Sequence, residues 1–289
     1  MNSKIVRIPN LSGLKYLIGF LVSKQPKTSN FRKFTPMLSI IIPVLNEAEN
    51  ITSVLKHLTT NASSENIAEL ILVDGGSSDD TRLLVNEFSK DTAFNIQLLS
   101  SEKGRAKQMN AGAKKATGDI LYFLHADSFP PKNFDGLIIS EVQKGNPAGC
   151  FKMKFDSNHW GLRLASYFTR FSWRACRGGD QSQFITRKLF DEIGGYDETF
   201  VIYEDNILIN ELYERKKFIV IQESLGSSAR LYRDKGIWYL QYHFWAIYVK
   251  RWMGADADEL LAYYVKYIKE NRKPLTSIVE KPREVFADK

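Results

Sequence analysis

Leu38-Ser-Ile-Ile-Ile-Pro-Val-Leu45, running into Asn46-Glu47-Ala-Glu49, is the stretch on which the fold turns. An apolar run of strand length with almost no polar alternation suits a strand buried on both faces. The polar end reads as the start of a helix. Asn46 is its expected N-cap, the acidic residues suit a first turn, and Ile51, Val54, Leu55 and Leu58 keep helical spacing. The unit then repeats, with strands expected over residues 70–74, 96–100 and 119–124 and helices over 80–89 and 104–116. Strands alternating with helices predict an α/β fold, a Rossmann-like and mostly parallel sheet with right-handed crossovers. In such sheets ligands bind beyond the carboxyl ends of the strands. The polar residues collect there: Asn46 and Glu47, Asp74 to Ser78, Glu102 to Arg105, and His125 to Ser128.

Beyond residue 147 the texture changes. Strands are expected over 148–155, 182–186 and 218–222. Helices are expected over 158–176, 190–193, 204–215, 236–253 and 256–269, with Tyr232, Arg233 and Lys235 in a basic loop. Residues 236–253 are apolar nearly all round and rich in Trp and Tyr. Such a helix is buried, paired in a homodimer, or laid against a membrane surface. Burial or dimer packing is the expectation, with peripheral membrane contact second. Three parts are therefore expected: a basic, amphipathic extension and linker (1–36), the main α/β domain (37–232) and a C-terminal helical segment (233–289).

Composition narrows the function classes. The 289 residues are 44% hydrophobic and 25% charged, which excludes a disordered chain. A net charge of +7 favours an anionic partner, and the absence of an Arg/Lys-rich arm argues against nucleic acid. Two cysteines, Cys150 and Cys176, give neither a zinc motif nor a disulfide framework, so a reducing, cytoplasmic setting is expected. No apolar run reaches the roughly 18 residues of a membrane span. A peripheral position at the inner face of the membrane stays open.

Several groups carry chemistry. Asp127 offers a hard oxygen ligand for Mg2+ or Mn2+, and His125, two residues before it, suits Mn2+. Asp74 with Gly75 ends a strand, where a carboxylate accepts from base or ribose and glycine lets a ligand approach the backbone. Arg105 opens a helix whose free N–H groups favour a diphosphate. Glu204-Asp205 opens another, placing carboxylates where one could deprotonate a hydroxyl. Gly178-Gly-Asp180-Gln181 forms a loop into a strand.

Together these pieces resemble family 2 glycosyltransferases of GT-A fold over roughly residues 38–231. The likeness is carried by 39–47, Val73-Asp-Gly-Gly-Ser-Ser-Asp79, 104–110, 118–127, and Ile193-Gly-Gly-Tyr-Asp-Glu198 followed by Glu204-Asp205. It implies inverting transfer of a sugar from a nucleotide diphosphate sugar, expected to be a UDP-sugar, to a hydroxyl on a small or lipid-linked acceptor, with Mg2+ or Mn2+. The implied nucleotide-binding set is Pro43, Asn46, Glu47, Asp74, Gly75, Arg105, Gln108 and Ala126. Asp205 would be the general base with Glu204 beside it, Asp127 the metal ligand with His125, and Asp180, Gln181 and Arg230 would face donor sugar or acceptor. The chain departs from the pattern in carrying His125 where the family's Asp-x-Asp element has its first Asp, a form most similar to a soluble bacterial subgroup. Arg251-Trp252 lacks the preceding Gln of the processive synthases, Tyr248 standing in its place. Two other readings compete: a sugar-phosphate nucleotidyltransferase, against which Asn46-Glu47-Ala-Glu49 stands where a glycine- and lysine-rich loop would be, and a non-catalytic nucleotide-sugar-binding module.

Overall fold

The computed structural model describes residues 35–178 and 181–270. The expected N-terminal extension, up to residue 34, and Asp180 lie outside the described residues. Strand β1 (Leu38–Val44) is the axis of an eight-stranded sheet. Its even and odd residues bury on opposite sides, which is why the run is continuously apolar. Ile40, Ile42 and Val44 pack with α1 (Ile51–Asn61), α2 (Thr81–Phe88) and α4 (Phe134–Gln143). Ile41 joins the opposite core, under α3 (Arg105–Lys115) and α7 (Glu204–Glu214). Helix α3 lies so close that a Cβ on Gly112 would come within 2.5 Å of Ile41 Cγ2.

The remaining strands are β2 (Ile67–Asp74), β3 (Ile96–Ser100), β4 (Ile120–Phe123), β5 (Ser128–Phe129), β6 (Ala148–Phe155), β7 (Gln183–Thr186) and β8 (Ile219–Ser227). They run in the order β3-β2-β1-β4-β7-β6-β8-β5. The first four are parallel, as the alternation predicted. At β7 the direction reverses, with Phe123 opposite Gln183. The last β1–β4 rung is Leu124 N–H donating to Ile41 O at 3.0 Å. Two residues further on, Pro43 turns its ring nitrogen to that same side, where it has no proton to offer. The chain after Phe123 leaves the sheet at this point, and a cleft opens between β1 and β7.

Several expectations need correction. Helix α1 begins at Ile51, so Asn46 is not its N-cap. Asn46 adopts a left-handed φ of 55°, and its Oδ1 accepts from Ser78 N–H at 2.8 Å, tying the two strand-end loops together. The helix expected over 158–176 stops early, as α5 (Trp160–Phe168). Thr169 ends it: its hydroxyl donates back to Ser166 O at 2.6 Å while accepting Met153 N–H at 2.9 Å, which pins the chain to β6. Short β5 and α4 were not anticipated. The expected basic loop is helix α8 (Arg230–Lys235). A short α6 (Arg187–Ile193) follows β7, and α9 (Ile237–Trp252) and α10 (Ala257–Tyr264) close the described chain, α10 with a capping box between Asp256 and Glu259. Helix α9 is not buried all round. Leu240, His243 and Ile247 face inward, while Trp238, Tyr242, Trp245 and Trp252 are exposed. No helix among the described residues is long and apolar enough to cross a membrane.

Candidate functional site

The cleft is walled by Pro43 from β1, His125 from the segment after β4, Gln181 and Gln183 at β7, Tyr196 from the loop after α6, and Asp205 from the first turn of α7. Met109, Phe123 and Leu124 form its apolar floor. These residues come from six separate parts of the chain and converge at the carboxyl end of β1 and β4, the expected place for a ligand in this topology.

The placing of Asp205 begins with Tyr203, which precedes α7 in a left-handed conformation (φ 72°). A bulky aromatic residue there is strained and persists only because its surroundings fix it. Its ring meets Tyr248 of α9 edge-on, 5.2 Å between centroids. This turn buries Glu204 and Asp205 at a helix N-terminus, where the dipole favours negative charge. Glu204 is covered completely and pairs with Arg105 Nε at 2.6 Å. Burial nevertheless pushes the Glu204 carboxyl up to about 7; Arg105 pulls against that rise and Asp205 adds to it. Arg105 is thereby a link between α3 and α7, rather than a side chain held only toward the phosphates. Asn110 fastens the neighbouring loop, its amide donating to Tyr196 O and accepting Tyr196 N–H, each at 2.9 Å.

A second constellation lies beside the first. Glu47 meets Arg230 at 3.8 Å and donates its N–H to Thr81 Oγ1 at 2.8 Å. Burial raises the Glu47 carboxyl above its ordinary range against the Asn50 hydrogen bond and Arg230, and the charges of Asp127 and Asp79 reinforce the rise. Negative charge therefore accumulates around Glu47 and Asp127. The described residues contain no cluster of three or more His, Cys, Asp or Glu side chains able to hold a metal unaided. The Asp127 carboxylate, whose charge reaches Glu47, and His125, which lines the cleft two residues earlier in the chain, are of the donor types that fit a divalent cation whose other ligands are phosphate oxygens and water.

Not every expected residue faces the cleft. Asp74 is almost fully covered and engaged within the protein. Its carboxylate accepts Ser77 N–H and hydroxyl at 3.0 and 2.6 Å and Arg82 Nη1 at 2.8 Å. Gln108 is a strand tie: Nε2 donates to Val44 O at 2.9 Å and Val73 O at 2.7 Å, leaving neither amide proton for a nucleotide. Gly75 is the position that lets this tie form, since a Cβ there would sit 3.1 Å from the Gln108 amide. The Ala126 methyl packs in the core rather than on the cleft. Two cleft residues were missed. The Gln183 amide and the Tyr196 hydroxyl are buried with no hydrogen-bond partner. Burial lifts the Tyr196 phenol well above its usual range, and Asp205 and Glu204 add to this. The signal for Gln183 was available: a glutamine between Ser182 and Phe184 inside a central strand.

Comparison with known proteins accords with this geometry. The model of "Glycosyl transferase family 2" matches residues 39–208. A Bacillus subtilis (strain 168) protein named "Probable glycosyltransferase YdaM" is 25% identical over 271 residues, 86% of this chain and 62% of that protein. The chain thus spans less than two thirds of that relative's length. Among solved structures, the mannosyltransferase PcManGT from Pyrobaculum calidifontis, in complex with GDP-Man and Mn2+, aligns with a TM-score of 0.57 at 18% identity, covering 90% of this chain and 72% of that one. S. aureus TarS 1-349 in complex with UDP aligns with a TM-score of 0.56 at 17% identity, covering 81% and 73%. At these identities the likeness is one of fold, the GT-A arrangement.

Proposed function

The chain belongs to glycosyl transferase family 2, and from that premise we propose that it is an inverting glycosyltransferase, moving a sugar from a nucleotide diphosphate sugar, of UDP type, to a hydroxyl acceptor. The observation that carries this reading is the convergence of Asp205, His125, Gln181 and Pro43 on one cleft at the strand ends. The complexes of TarS with UDP and of PcManGT with GDP-Man and Mn2+ are in keeping with a nucleotide donor.

In this reading Asp205 is the general base. It accepts the proton of the acceptor hydroxyl as that oxygen bonds to the anomeric carbon, on the face opposite the departing nucleoside diphosphate. The bond from anomeric carbon to diphosphate oxygen breaks with its electron pair going to the leaving group, and configuration inverts. Asp127, with His125 beside it, would hold a divalent cation, Mg2+ or Mn2+, which when bound neutralises charge on the leaving diphosphate. Pro43 and Gly75 would flank the nucleoside, with Asn46, Glu47 and Asp74 shaping the platform around it. Arg105 holds Glu204 and keeps a cation near the diphosphate end. Asp180 and Gln181 would face the donor sugar or acceptor.

A donor screen tests the reading. UDP-, GDP- and dTDP-sugars are added with and without Mn2+ while the melting temperature is followed, and the anomeric configuration of any product is assigned by NMR. A shift with UDP-sugars that needs the cation, and an inverted product, are expected. Stabilisation by no nucleotide sugar, or a product of retained configuration, would overturn it.

A further inference from the structure

Helix α5 carries its apolar stripe on the wrong side for a core. Trp160, Leu164, Tyr167 and Phe168, at spacings of i, i+4, i+7 and i+8, are all exposed, and only Leu162 is buried. Helix α9 repeats the pattern on a larger scale, Tyr242 being 69% exposed, Trp245 68% and Trp252 86%. The two stripes meet at their N-terminal ends, where the Trp160 and Trp238 rings stand 5.1 Å apart. Beyond α5 the Phe171 and Trp173 rings stack at 4.7 Å, with Trp173 exposed.

Among the described residues, ten of the thirteen exposed large hydrophobic side chains belong to α5, α9 and the residues just after each. Scattered exposed apolar residues are ordinary, but such concentration marks a binding surface. The chemistry of the surface identifies the partner. Residues 158–178 contain the exposed Arg163, Arg170 and Arg174, residues 236–254 contain the exposed Lys250, and neither stretch holds an Asp or Glu. The Arg170 guanidinium lies 4.0 Å from the Tyr167 ring centroid, a cation resting on the apolar layer. A second copy docked here through a two-fold axis would bring these cations together, and neither stretch supplies a carboxylate to offset them. A bilayer carrying anionic headgroups answers both features, since Trp and Tyr rings settle at the headgroup boundary and Arg and Lys reach the phosphates.

We infer that the α5–α9 face is a membrane-docking surface, which seats the enzyme on an anionic bilayer. The test is flotation of the full chain with large unilamellar vesicles of phosphatidylcholine alone, or of phosphatidylcholine with phosphatidylglycerol. Partition onto the anionic vesicles should exceed that onto the neutral ones by about tenfold and fall as salt is raised. The double variant Tyr242→Ser/Trp245→Ser should lose about tenfold in partition while keeping the wild-type melting curve, because both side chains already lie in water. Lys250→Gln should remove part of the preference for anionic vesicles and leave binding to neutral ones unchanged. Equal partition onto both vesicle types would overturn the inference. So would vesicle binding that the double variant leaves intact, or a concentration-dependent dimer in sedimentation that the double variant abolishes while vesicles retain nothing.

Discussion

Asp74 and Glu204 are covered almost equally, at 1% and 0% exposure, yet their carboxyl groups are driven in opposite directions. Burial opposes the charge on Asp74, but the Ser77 hydroxyl and N–H and the Arg82 guanidinium outweigh it and hold the group below its ordinary range. Glu204 has Arg105 as its cation and no comparable ring of donors, so burial prevails and the carboxyl stands near 7. The end of β2 is thus a platform whose charge the protein has already satisfied. The start of α7 holds, beside Asp205, a carboxyl whose burial favours the protonated form in spite of Arg105.

The largest test of this contrast is Asp205→Asn, expected to lower transfer by about a thousandfold or more while donor affinity changes little; single-turnover rates beside calorimetry measure both. Near-normal turnover would place the base elsewhere. Asp127→Ala should weaken nucleotide-sugar binding in Mn2+ by about tenfold or more, with little change in EDTA, by titration calorimetry.

Asp74→Ala should destabilise the chain by about 1–3 kcal/mol in urea unfolding at neutral pH, since the Ser77 and Arg82 bonds are lost. The stability that Asp74 supplies is present above the ordinary carboxylate pKa and fades as pH falls through its lower native value, so the variant and wild type should converge in acid. Glu204→Gln should have the opposite sign. With a native pKa near 7 against an ordinary 4.5, Glu204 costs nothing below 4.5 and becomes destabilising as pH rises toward 7. In EDTA at pH 8 the glutamine variant should melt above wild type, by about 2–4 °C for each kcal/mol released, and at pH 4 the two should agree. The smallest effect belongs to Gln183→Leu. Removing an amide buried without partners should leave stability unchanged or raised by up to about 1 kcal/mol in the absence of ligand.

The parallel half of the sheet was legible because its signal is local. A strand buried on both faces is apolar throughout, the helices between carry their own period, and β3 falls at 96–100 as read. The second half was less so. Its sheet reverses direction, α5 ends on the Thr169 hydroxyl bonds, and the six-residue α8 is too short and basic to show a period. The site divided in the same way. Asp205 and His125 were readable as polar residues at element ends. The Arg105–Glu204 pair spans 99 positions, and the Gln108 tie depends on two carbonyls that only the folded strands bring together. Such contacts belong to tertiary packing and leave no trace in any single window of sequence.

Pro43 lends the cleft a kind of permanence. A β-ladder grows by adding rungs, each needing a proton on one strand and an oxygen on the other, and nothing steric prevents a neighbouring segment from zipping back once it has peeled away. At Pro43 the proton is missing by covalent structure, on the side where Phe123 gives way to His125. The ladder between β1 and β4 therefore ends at Ile41, the next rung being denied by the missing proton of Pro43. A Pro43→Val chain would regain the donor, and with it a route by which the sheet could knit across its own binding groove.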